Sequence, residues 1–142
     1  MKRTEIKQLF SAPQDFDGAE TTVCGWVRTI RDSKAIGFIE LNDGSAFKNL
    51  QVILEQGSLS NFSEIVKLNV GSAITVHGRV VLTPEAKQPL EIHAESVEVE
   101  GLSTPDYPLQ KKRHSLEFLR SIAHLRPRTN TFEAVFRVRS VA

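Results

Sequence analysis

Apolar and polar residues alternate in five runs between Thr21 and Gly101, and a two-residue alternation marks strands with one buried face. The spacing predicts strands over Thr21–Ile30, Ala35–Asn42, Phe47–Leu54, Ala73–Leu82 and Pro89–Gly101. Ile39 and Leu41 share one side of the second run; Leu50, Val52 and Leu54 share one side of the third. In the fourth, Ile74, Val76, Val80 and Leu82 face one way while Thr75, His77 and Arg79 face the other. Gly78 falls on the apolar side, where a glycine signals a bulge or tight bend. The fifth run changes phase, with Leu90, Ile92 and Ala94 apolar first and then Val97 and Val99, which predicts a second bulge. Asn42–Gly44, "NDG", is a turn signal.

Helical spacing interrupts the strands once, at Phe62, Ile65, Val66 and Leu68, with Gly71 closing the element. A short helix opens the chain over Thr4–Phe10, with Thr4 in a capping position. Three strands, a short helix and two more strands, with glycines at the bends, is the order of a mainly β, five-stranded OB-fold barrel. After Gly101 the pattern changes. "STPDYPLQKKRHS" carries Pro105 and Pro108 and reads as an extended hinge. Ser115 caps a helix carrying Leu116, Leu119 and Ile122 as far as Leu125, which "RPR" stops. Asn130 and Glu133 have the spacing of a capping box, opening a helix with a stripe of Phe132, Val135, Phe136 and Val138. That helix reaches Ala142 without a C-cap, so the chain reads as cut short. The expected organisation is a barrel over 1–101, a hinge over 102–114 and the start of a further domain over 115–142.

Composition adds boundaries. At 142 residues, 40% hydrophobic and 25% charged, the chain is an ordinary globular sequence able to bury a core. "MKRTEIKQLF" is followed by no apolar run, which speaks against a secretory signal or membrane span and points to the cytosol. Cys24 stands alone, so no disulfide framework or zinc knuckle is expected, and the residue reads as a small buried hydrophobe. The net charge of +1 hides a segregation: residues 1–110 hold ten Lys/Arg against fifteen Asp/Glu, and residues 111–142 hold eight against two. A basic tail on an acidic body suggests contact with a polyanion or with an acidic surface of the same protein; a solvated hinge is the plain alternative.

One aromatic breaks the alternation. With Ile39 and Leu41 inward, Phe38 points outward, and Val52 and Leu54 send Gln51 to that same side. An outward ring on the second and third strands of an OB-fold is a plate for an unstacked base, and an outward amide can meet the base's pairing edge. Glu91, between inward Leu90 and Ile92, also faces out and can accept from a base N–H. Arg28, Arg31, Lys34 and Lys48 are placed to hold phosphates around the plate. Each has an ordinary alternative as a solvated strand residue, and Phe38 could instead anchor a loop or a protein partner. His77 and His93 read as surface histidines without a carboxylate partner. No nucleophile–base pattern, phosphate-cradling glycine loop or metal-ligand cluster is visible, so no catalytic and no metal-binding residues are assigned.

"VCGWVRTIRDSKAIGFIELNDGS" with "LQVIL" resembles the anticodon-binding barrel of the class II aminoacyl-tRNA synthetases for Asp, Asn and Lys. "YPLQKKRHSLEFLRSIAHLRPRTNTFEAVFRVRS" is similar to the hinge and first catalytic segment of the bacterial asparaginyl enzymes. The resemblance implies that Phe38 stacks on an anticodon base, that Gln51 hydrogen-bonds the anticodon, that Glu91 helps read it and that Arg31 contacts the RNA. It implies a homodimeric ligase using ATP and Mg to charge tRNA(Asn), with the last helix as its dimer-interface element. The arginine motifs of that chemistry are not in this sequence, so the 142 residues by themselves are expected to bind RNA and not to aminoacylate it. Within the class the other reading is an aspartyl enzyme; outside it, a stand-alone OB-fold for single-stranded nucleic acid or a protein-interaction barrel.

Overall fold

A computed structural model of the chain describes residues 2–110 and 112–142. Met1 of the opening stretch and Lys111 of the expected hinge lie outside the described residues. The chain divides into two compact units, Met1–Tyr107 and Pro108–Ala142.

The first unit is a closed barrel of strands β1 (Glu20–Ser33), β2 (Ile36–Asn42), β3 (Leu50–Glu55), β4 (Ala73–Leu82) and β5 (Leu90–Gly101), in the order β1-β2-β3-β5-β4. All neighbours run antiparallel except β3 and β5, whose parallel ladder closes the barrel. The residues that alternation sends inward fill it: Val23, Val27, Ile39, Leu41, Leu50, Val52, Leu54, Val76, Val80, Leu90 and Ile92 are fully buried. The one-turn helix α2 (Phe62–Ile65) packs Phe62 and Ile65 into the core, with Leu68 just after it; it is shorter than the apolar spacing suggests.

Three bulges set the phase of the strands. Opposite Gly78, β5 inserts Glu95 between Ala94 and Ser96, which produces the change of phase between Ala94 and Val97. A glycine is required there, because a Cβ on Gly78 would stand 2.3 Å from the His93 carbonyl oxygen. Near the end of that ladder Ala73 pairs Gly101 and Ile74 pairs Val99, leaving Glu100 as the extra residue. On β1 the register jumps from Val27–Leu41 to Thr29–Glu40, so Arg28 is the inserted residue.

Several element ends differ from the sequence pattern. Helix α1 spans Ile6–Ser11 and is capped by Glu5, whose backbone N–H donates to Gln8 Oε1 at 3.0 Å; Thr4 instead joins β1 through its N–H to the Thr22 carbonyl. Two first-turn amides of α1 find side-chain acceptors in the β2–β3 loop, Ile6 N–H to Asp43 Oδ2 at 2.9 Å and Lys7 N–H to Ser45 Oγ at 3.0 Å. The β2–β3 connection runs to Asn49, because Asn42 ties it into a loop by accepting from Gly44 N–H and donating to Ala46 O and Asn49 Oδ1. Phe47 therefore lies outside β3. Cys24 is half-buried on the outer side of β1, its Sγ 3.4 Å from Thr75 Oγ1, and not a core residue.

In the second unit, α3 spans Leu116–Ser121 with Ser115 Oγ accepting from Phe118 N–H, the expected cap. It stops four residues before Leu125, and Arg126–Arg128 form a 3-10 turn. Helix α4 (Asn130–Val141) begins after Thr129, so Asn130 is its first residue and not its cap; Glu133 pairs with Arg137 one turn on at 3.0 Å. The Arg126 guanidinium lies 5.2 Å from the Phe132 ring and 5.5 Å from Phe136.

Candidate nucleic-acid interface

The bulge at Arg28 is what turns Arg31 outward. Val23 and Val27 point into the barrel, and uninterrupted alternation would send Arg31 after them; one inserted residue puts Ile30 opposite inward Ile39 and Arg31 opposite outward Phe38. The Arg31 guanidinium lies over the Phe38 ring, 4.6 Å from its centre, a cation–π contact. Phe38 pairs in turn with Ile53 of β3, and Ile53 with His93 of β5. A row of outward residues, Arg31–Phe38–Ile53–His93, thus crosses four strands. The adjacent row is Thr29–Glu40–Gln51–Glu91. Phe38, Gln51 and Glu91 share this one face, as alternation predicts, and the bulge at Arg28 adds Arg31 to it.

Arg28 is different: as the inserted residue it has no register partner on β2. Lys34 sits in the β1–β2 turn with a left-handed backbone, φ 62°. His93 corrects its sequence reading. Its Nε2 is 3.0 Å from Glu91 Oε1 and its Nδ1 3.9 Å from Glu55, so it stands between two carboxylates and its Nε2–H donates to Glu91. His77 instead bonds the Thr22 hydroxyl at 2.7 Å. The Glu91 side chain is only 16% exposed.

Loops add residues that alternation does not single out. Gln88, from the β4–β5 loop, donates from Nε2 to Gln51 Oε1 at 2.9 Å. Beside it a cleft of about 320 Å³ is walled by Phe10, Phe47, Lys48, Lys87, Gln88 and Glu40, among others. Phe47 had a visible signal, an aromatic inside a polar, turn-rich run; Gln88 had none, since loops carry no period. The face therefore offers an apolar ring under a cation, an amide and a carboxylate at neighbouring register positions, and Lys48 and Lys87 along one edge. That set can stack a planar heterocycle, meet its polar edge and neutralise phosphates. Among the described residues no three His, Cys, Asp or Glu side chains gather to hold a metal ion, and no helix is long and apolar enough to cross a membrane.

Residues 21–100 match the family described as the OB-fold nucleic acid binding domain, and the chain belongs to that family. Relatives narrow the class. The chain is 67% identical over 141 residues to the asparagine–tRNA ligase of Acetivibrio thermocellus, which covers 99% of this chain and 30% of the relative. It is 61% identical to that of Clostridium acetobutylicum over all 142 residues, again 30% of the relative, so the chain spans about a third of the length of these proteins. The barrel is an OB domain of the kind found in asparagine–tRNA ligases. The fold is also that of the asparaginyl-tRNA synthetase from Pyrococcus horikoshii complexed with asparaginyl-adenylate, with TM-score 0.85 and 22% identity over 99% of this chain and 32% of the other.

Proposed function

We propose that the outer face of β1, β2, β3 and β5 reads the anticodon of tRNA(Asn), as one part of an asparagine–tRNA ligase. The observation that carries this is the convergence of Phe38, Gln51 and Glu91 on one face by strand register, in a chain so similar to ligases of that specificity. A loop base stacks on Phe38, with Arg31 moving from the ring to a phosphate. Gln51 and Glu91 meet base edges, and Lys48 and Lys87 hold the backbone along the cleft.

In this proposal residues 1–101 are the RNA-binding domain, 102–114 a hinge, and 115–142 the first segment of the catalytic domain, whose last helix joins a homodimer in the cytoplasm. The activation of asparagine with ATP and Mg and its transfer to tRNA fall to other parts of the ligase; the described residues offer no ligand set for the metal.

The test is binding of an anticodon stem-loop carrying GUU, followed by fluorescence anisotropy. The wild-type chain is expected to prefer it over the same loop with the middle uridine changed, and Phe38→Ala to weaken it by about 1–3 kcal/mol. Equal affinity for both loops, with Phe38→Ala indistinguishable from wild type, sinks the reading.

A further inference from the structure

Gln51 can present either of two faces to a ligand, because a side-chain amide has an accepting end and a donating end. Its surroundings choose one. Gln51 stands in register between Glu40 and Glu91, two carboxylates that accept and cannot donate when ionised. Its Oε1 accepts from the Nε2–H of Gln88, 2.9 Å away, which leaves the NH₂ group as the end not engaged by that contact. Gln88 is itself held by the fold of its loop. Thr83 Oγ1 donates to the Gln88 carbonyl at 2.8 Å, Thr83 N–H to the Pro89 carbonyl at 3.0 Å, and Ala86 N–H to the Thr83 carbonyl at 3.1 Å.

The geometry points to Gln88 as a positioning residue that sets base specificity: by occupying Oε1 it fixes Gln51 as a hydrogen-bond donor on the outer face. At the pairing edge of a pyrimidine the distinction is sharp. Position 4 of uracil is a carbonyl, which accepts; position 4 of cytosine is an amino group, which donates. A Gln51 locked as donor meets the first and opposes the second. The inference rests on the proposed reading that an anticodon base stacks on Phe38 beside Gln51.

Three substitutions separate orientation from mere structure. Gln88→Glu replaces the donor with an acceptor, so Gln51 turns its NH₂ inward to meet it and its carbonyl outward. Gln88→Ala releases the amide. Gln88→Lys keeps a donor and is the conservative rescue. The 142-residue chain is titrated at fixed salt with stem-loops that differ only in U or C at the middle anticodon position. The ratio of the two affinities cancels any general repulsion from the added carboxylate, since both loops carry the same phosphates.

Wild type and Gln88→Lys are expected to favour U by about 5- to 150-fold, the discrimination carried by a well-made base-edge contact. Gln88→Ala is expected to fall toward parity and Gln88→Glu to reach parity or favour C. If wild type discriminates and Gln88→Glu keeps the wild-type ratio, the role of Gln88 is overturned and anticodon reading stands. If wild type binds both loops equally, both are overturned.

Discussion

Arg31 over Phe38 puts a cation on the ring that a base is proposed to use. The two residues then make separable contributions to RNA affinity. Phe38 supplies a stacking surface, which is insensitive to salt; Arg31 supplies one released counterion when it reaches a phosphate. Arg31→Met is expected to flatten the slope of log affinity against log salt by about 0.7, whereas Phe38→Ala lowers affinity and leaves the slope as it was. Salt titrations of the two variants check this, and an unchanged slope for Arg31→Met removes Arg31 from the phosphate contacts. At this scale the outward direction of Phe38, Gln51 and Glu91 was legible because alternation alone decides it. The His93–Glu91 pair was missed, although residues two apart on a strand share a face. Gln88 was not legible, because its reach to Gln51 depends on a loop conformation held by Thr83.

Strand phase explains what could be read of the elements. Val27 and Ile30 are both on the barrel side, three apart where alternation requires two, and that gap marks the bulge at Arg28. The same gap between Ala94 and Val97 marks the bulge at Glu95. The glycine opposite it is the sensitive point. A methyl group on Gly78 meets a backbone oxygen at 2.3 Å, and backbone cannot step aside cheaply; on Gly37 the nearest atom is Val66 Cγ1 at 2.9 Å, the tip of a side chain. Gly78→Ala is expected to cost about 1–3 kcal/mol or more in urea unfolding, and Gly37→Ala clearly less. Equal costs would place the constraint elsewhere than in the bulge. Helix ends were harder to read than strands. Amides at the start of α1 are satisfied by Asp43 and Ser45 from a distant loop, a partner that local sequence cannot reveal.

Across the whole molecule, stability is expected to be uneven. The barrel strands hold most of the fully buried residues, whereas α4 buries none, with Val138 70% exposed. Amide hydrogen exchange is therefore expected to show strand protection approaching global unfolding and much faster exchange along α4. Protection of α4 equal to that of β4 would contradict this. Charge is uneven as well. The acidic excess of the body includes Glu95, Glu98 and Glu100 on the second half of β5, beyond the stretch that pairs with β3, while Arg31 lies on the proposed RNA face and Lys48 and Lys87 line its cleft. A sequence count of charge could register the excess but not this separation, which exists only after the strands are ordered.

The parallel ladder between β3 and β5 carries a kinetic consequence. Gln51 and Glu91 become neighbours only when chain ends far apart in sequence meet, with α2 and β4 lying between them. Contacts of that kind form late and slowly, because loop closure must come before the pairing that rewards it. A nascent chain with only its first three strands in place presents Phe38 and Gln51 without Glu91. Recovery of RNA selectivity during refolding is therefore a clock for barrel closure, running with the slowest folding phase and not with the first appearance of strand signal.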